Sequence, residues 1–256
     1  MNSMSSFNDK LKEIKLRELL IIIIISFSII FYFDLNESII YIIIILYVLF
    51  RTRHHLKSVK NDILNISEKI PFKSCLLLVI TNIILAIGLG YISEFIINQY
   101  FPLDYLENET TVITTFTIMS PTLIYLIDCV DSIIIVPLSE ELIFRGIILN
   151  RLNRKIPLIL AILISSIIFG SLHEFEGCIS ATIFGICMCI VYLKTENILV
   201  PISLHAINNL ISNTFDFIPY DPLLESDVGF GIIGLLSLIS AIYIAKFIIS
   251  QYNEVK

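Results

Sequence analysis

Residues 164–177 read ISSIIFGSLHEFEG, an apolar run that closes on a histidine, His173, and then turns acidic. The run is apolar enough for a lipid bilayer. An ionisable side chain in hydrocarbon costs about 2.5–3.5 kcal/mol on insertion scales, so it is kept where it is paired or where it works. Whether the rest of the chain is built the same way decides the fold. Of 256 residues, 56% are hydrophobic and 16% charged, against about 45–50% apolar and about 25% charged in an ordinary soluble domain. The mean hydropathy of +0.88 agrees. This composition predicts an all-α polytopic membrane helix bundle.

With roughly 20 residues as the crossing length, the apolar runs give about eight transmembrane helices, over 18–34, 38–50, 74–99, 121–150, 157–173, 178–193, 198–217 and 229–249. The second is short. The fourth is long and contains Pro137, so it is predicted to tilt, kink or begin at the interface. Basic residues fall at alternate ends of this ladder: Lys10 to Arg17, Arg51 to Lys60, Arg151 to Lys155, Lys194 and Lys246. Acidic loops with Asp34 and Glu37, Asp104 to Glu109, Glu174 and Glu176, and Asp221 and Glu225 fall at the others. The positive-inside rule then makes both termini cytoplasmic, and Tyr32, Tyr47, Tyr100, Tyr192 and Tyr220 are expected at the interfaces.

The polar, mixed-charge N-terminus does not read as a secretory signal, so the first apolar run is expected to stay as an anchor. Cys75, Cys129, Cys178, Cys187 and Cys189 lack metal or disulfide spacing and read as small core residues. The segment 51–73, with His54 and His55 among basic residues, reads as solvated surface. Without a repeat or a linker, 1–256 is expected to be one integral membrane domain. The formal charge of −6 identifies no partner, and nothing suggests nucleic acid.

The chemistry concentrates in one block, 137–209. PLSEELIFRG (137–146) sets Glu140, Glu141 and Arg145 in apolar surroundings. Glu141 and Arg145 are i and i+4, acid before base, the favourable order for a pair on one helix face. Glu140 is turned by about 100° from its neighbour and keeps no local partner. An unpaired buried carboxylate is poised to take a proton. FGSLH (169–173) puts Phe169 and His173 on one helix face, and HAINN (205–209) does the same for His205 and Asn209. A Glu/His combination can hold and deprotonate a water, while a neutral histidine and a carboxamide can donate to the oxyanion of a tetrahedral intermediate. No Gly-x-Ser-x-Gly elbow, no locally paired Cys/His and no His-Glu-x-x-His motif is present.

These three motifs, in this order and each within an apolar span, resemble those of the CPBP intramembrane proteases, the family of the CAAX prenyl endopeptidases and of bacterial proteins tied to bacteriocin processing or self-immunity. The match covers about 70 residues directly. The resemblance implies that Glu140 and His173 activate the attacking water and that His205 and Asn209 form the oxyanion hole. Glu141, Arg145 and Phe169 would support the site structurally. No cofactor would be required. Zinc stays open, because Glu140, His173 and His205 are a ligand set used in other folds.

The implied partner is a membrane-embedded or lipidated peptide or protein. Two alternatives stay open, a catalytically silent immunity or scaffold protein and a proton-coupled transporter, since transporters also keep carboxylates and histidines at mid-membrane. One expectation sits awkwardly. At 1.5 Å per residue His173 lies about 25 Å from a helix start near Ile156, but His205 only about 10 Å from a start near Ile198. They meet only if the fifth helix tilts, the 150–157 loop dips inward or one loop is assigned to the wrong side.

Overall fold

The computed structural model describes residues 6–64, 72–100, 121–215 and 226–256, which are predominantly helical and contain no strand. A short helix α1 (Phe7–Glu13) is closed by a capping box: the Ser6 hydroxyl accepts the Asp9 N–H and the Asp9 carboxylate accepts the Ser6 N–H. Helices α2 (Leu16–Phe33) and α3 (Ser38–Thr52) form a hairpin that turns at Asp34, in the left-handed region at φ 49°. A 3-10 turn (Arg53–His55) leads into α4 (Leu56–Leu64), and α5 spans Phe72–Tyr100.

Residues 121–153 form one unbroken helical run: α6 (Pro121–Val130), a π-helical stretch (Asp131–Ile135), α7 (Val136–Glu141), a second π stretch (Leu142–Leu149) and α8 (Asn150–Asn153). Then follow α9 (Leu158–Gly170), α10 (Phe175–Thr195), α11 (Leu199–Phe215) and α12 (Asp227–Val255).

Each of the eight apolar runs falls mainly on helix, and among the described residues five helices are long and apolar enough to cross a membrane: Leu16–Phe33, Ser38–Lys60, Lys73–Ile97, Phe175–Thr195 and Val228–Val255. The chain is an integral membrane protein. Large apolar side chains such as Leu20, Ile24 and Phe27 on α2 and Leu235, Leu238 and Ile242 on α12 face outward. That inversion suits hydrocarbon, which offers no penalty to exposed leucine.

The hub is α10, which packs against α5, α9, α11 and α12. Phe184, Cys187, Met188, Cys189 and Tyr192 are buried along it. Glycine lets α9 and α10 approach closely: a Cβ on Gly170 would stand 2.7 Å from the Cys178 carbonyl oxygen and 2.9 Å from the Thr182 nitrogen. Such close approach replaces the hydrophobic effect as the source of helix association in lipid.

Pro137 is accommodated by the π stretch before it. The Val136 N–H reaches five residues back to the Asp131 carbonyl. A widened turn is the place where a missing N–H and a ring that clashes with the preceding turn are best absorbed.

Two expectations change. The fifth apolar run, read as 157–173, ends as a helix at Gly170, and His173 lies in the short connection to α10 rather than inside a span. Tyr192 is fully buried, its hydroxyl accepting from Asn150 Nδ2 at 3.1 Å, so it does not mark an interface. Asp131 is held by Ser38 of α3, whose hydroxyl donates to its carboxylate at 2.6 Å. Asp104, Glu107, Glu109, Tyr220, Asp221, Glu225 and part of the basic 51–73 segment lie outside the described residues.

Candidate active site

The centre of the bundle holds four ionisable groups on three elements. Glu140 and Glu141 close α7, Arg145 follows on the second π stretch, and His205 enters from α11. Their residual exposures are 7%, 0%, 0% and 3%. Arg145 Nη1 lies 3.0 Å from Glu141 Oε1, the i,i+4 pair expected from the sequence. The guanidinium also donates through Nη2 to the Gly185 carbonyl at 3.3 Å and lies over the Phe169 ring at 4.4 Å.

His205 ties the two carboxylates together. Its Nδ1 is 2.9 Å from Glu141 Oε1 and its Nε2 is 3.7 Å from Glu140 Oε2. Neighbouring helical carboxylates diverge by about 100°, and an imidazole with nitrogens on two edges spans that angle. Because a carboxylate accepts, Nδ1 carries the hydrogen and Nε2 faces Glu140 with its lone pair when the ring is neutral. Glu140 Oε2 is buried and makes no hydrogen bond. Glu141 Oε2 is open in the same way, but its Oε1 is engaged by both Arg145 and His205.

The ring of His205 is boxed by Phe169 (centroids 5.8 Å apart) and Phe184 (5.2 Å). Phe169 also touches His173, with centroids 4.9 Å apart. The depth mismatch between the two histidines is thus bridged by one aromatic ring near the end of α9. His173 Nδ1 is 3.1 Å from the Phe169 carbonyl oxygen, which can only accept, so Nδ1–H caps the end of α9 and Nε2 keeps its lone pair. Among the described residues His173 makes no hydrogen bond to Glu140 or His205; Phe169 stands between the histidines.

Asn209, one turn beyond His205, donates through Nδ2 to the Ser132 carbonyl at 2.8 Å. Ser132 sits in the first π stretch, and its hydroxyl accepts from Asn213 at 2.7 Å. These partners were not foreseen, although the spacing of Asn208, Asn209 and Asn213 in an apolar helix is the signal that could have flagged them. The zinc ligand set does not assemble: among the described residues no three His, Cys, Asp or Glu side chains gather closely enough to hold a metal ion.

The helical membrane bundle thus buries, at its centre, the Glu-Glu-Arg set of the first motif together with the histidine of the third. Residues 121–211 match the profile of the Rce1-like family, described as type II CAAX prenyl endopeptidases. The chain is also 40% identical over 85 residues to YdiL of Bacillus subtilis (strain 168), a protein named as a candidate membrane peptidase. That match covers 33% of this chain and 33% of the relative. Both are similarities to membrane proteases of the CPBP/CAAX type, and the family match spans all three motifs. No solved structure matches.

Proposed function

We propose that this chain is an intramembrane endopeptidase that hydrolyses a peptide bond of a membrane-associated, lipidated or hydrophobic substrate, with both termini cytoplasmic. The observation that carries the reading is the buried Glu140 carboxylate, whose Oε2 has no hydrogen bond and faces the Nε2 of a histidine held by Glu141.

Charge balance frames the chemistry. A buried site is cheapest when neutral overall. Arg145 is always positive, so Glu140, Glu141 and His205 together carry one negative charge. With Glu141 committed to Arg145, one proton is left for either Glu140 or His205 Nε2. Glu140 as carboxylate then coexists with His205 as imidazolium, which is the arrangement that hydrolysis needs.

In that state Glu140 takes a proton from a water whose other hydrogen is accepted by His173 Nε2, and the hydroxide adds to the scissile carbonyl carbon. His205 Nε2–H and the second N–H of Asn209 donate to the resulting oxyanion. Glu140 returns its proton to the amide nitrogen as the C–N bond breaks, giving a carboxylic acid and an amine. This refines the oxyanion role of His205: a neutral ring tied to Glu141 through Nδ1 has no hydrogen on Nε2, so it donates only when protonated.

The test is cleavage of a quenched fluorescent peptide library, prenylated and unprenylated, by detergent-purified protein beside Glu140→Gln. Cleavage by the wild type that disappears in an equally folded variant supports the reading. Undiminished cleavage by Glu140→Gln overturns the role of Glu140, and a stoichiometric metal ion in the active preparation overturns the metal-free form.

A further inference from the structure

The carboxamide of Asn209 belongs to a longer line of amides, and its direction can be derived. A backbone carbonyl only accepts, so the group that Asn209 turns toward Ser132 O must be Nδ2. That leaves Asn209 Oδ1 facing Asn208, whose Nδ2 donates to it at 3.4 Å. Asn208 Oδ1 in turn receives Asn82 Nδ2 from α5 at 3.2 Å. One carbonyl at the end of the line removes the usual ambiguity between amide oxygen and nitrogen at every position. The far end is Asn82 Oδ1, buried and without a hydrogen-bond partner, in a side chain that is 6% exposed.

The Ser132 carbonyl owes its availability to the same local chemistry that makes the π stretch. In π register it would receive the N–H of residue 137, and residue 137 is proline. The N–H before it, that of Val136, is used by Asp131. The acceptor is thus left over by the backbone and taken by Asn209. Ser132 is fixed from the side chain as well, since its hydroxyl donates to the Cys129 carbonyl at 3.2 Å and accepts from Asn213.

We infer that Asn82 and Asn208 are positioning residues of the site: through a head-to-tail amide relay ending on the Ser132 carbonyl they fix the Asn209 carboxamide, so that its remaining N–H is aimed from the His205 face of α11. This rests on the peptidase reading for its kinetic consequence, but the relay itself is independent of it. Asn82 and Asn208 touch no reacting atom. They act by removing the alternative amide orientations of Asn209, and positioning of this kind is worth up to about 100-fold in rate when a group is displaced by an ångström.

Two measurements on the purified full chain test it. In peptide cleavage, Asn82→Leu and Asn208→Leu each lower kcat by about 10- to 100-fold with KM nearly unchanged. Neither lowers it further in an Asn209→Ala background. A loss that persists in that background means a general structural role and overturns the inference. In thermal unfolding, which needs no activity, Asn82→Leu and Asn209→Leu are non-additive by about 2 °C or more although the two residues do not touch, and become additive once Asn208 is leucine. Additive midpoints with Asn208 intact overturn the relay. If the wild type cleaves nothing, the peptidase reading fails while the unfolding cycle still decides the relay.

Discussion

Removal of the Glu141 carboxylate separates structure from chemistry at this site. Glu141 is fully buried and serves two groups that are themselves buried, Arg145 at 3.0 Å and His205 Nδ1 at 2.9 Å. Glu141→Ala leaves the guanidinium to the Gly185 carbonyl and the rings of Phe169 and Phe144, none of which carries a compensating charge. Breaking a buried pair by deleting one partner costs about 3–5 kcal/mol. With a domain of this size losing roughly 2–4 °C per kcal/mol, the melting midpoint falls by about 6–20 °C. Glu140 is nearly as buried, yet its contact with His205 Nε2, at 3.7 Å, is longer than either contact of Glu141. Glu140→Ala therefore shifts the midpoint by only a few degrees at most, while Glu141→Gln, which keeps an oxygen for His205 and Arg145, falls between the two. The assay is fluorescence-detected unfolding of the detergent-solubilised variants beside their monodisperse yield. Equal midpoints for Glu140→Ala and Glu141→Ala would refute the division of the two carboxylates into a reactive and a supporting one.

Two other perturbations have a definite sign. Gly170→Ala forces a methyl against the α10 backbone, and overpacking of that kind costs about 1–3 kcal/mol. Gly90→Ala and Gly234→Ala meet no atom within 4 Å and instead gain helix propensity of about 0.5–1 kcal/mol, so their midpoints should hold or rise; a harmless Gly170→Ala would mean that α9 and α10 are not so close.

Burial, reinforced by the nearby charge of Asp9, holds the Asp62 carboxyl above its ordinary value. A carboxyl raised on folding contributes stability that is complete below its unfolded value and is lost as pH rises through the folded one. Asp62→Asn, which removes that titration, should flatten the decline in stability on moving upward from the ordinary carboxylate range. An unchanged pH profile of unfolding would contradict this.

The helices were legible because lipid demands long apolar runs, and all eight runs fall mainly on helix. The Glu141–Arg145 pair was legible because it is local and follows from a spacing of four. The link from Glu141 to His205 was not, since it joins residues 64 apart and depends on how α7 and α11 cross. His173 was placed inside a span because composition does not register where a helix stops. The π stretches escaped a count at 100° per residue, and with them the Ser132 carbonyl and the orientation of Asn209. What the sequence hid is what depends on backbone groups that lack their usual partners.

The N-terminal helix carries one more implication. Asn8 of α1 accepts the N–H of Ile198 through Oδ1 at 2.9 Å and donates to Asp62 at 3.1 Å, while Asn197 donates to the Asp62 carbonyl at 2.8 Å. Arg151 donates to the carbonyls of Ile14 and Glu13 on the same side. During synthesis Asn8 therefore waits for a partner 190 positions later in the chain. At about 5–20 residues per second that is an interval of roughly 10–40 s. During it α1 can pack against α3 and α4, but the start of α11, which carries His205, cannot yet be fastened to it. Completion of the centre is a late event in biosynthesis, timed by the order in which the chain is made.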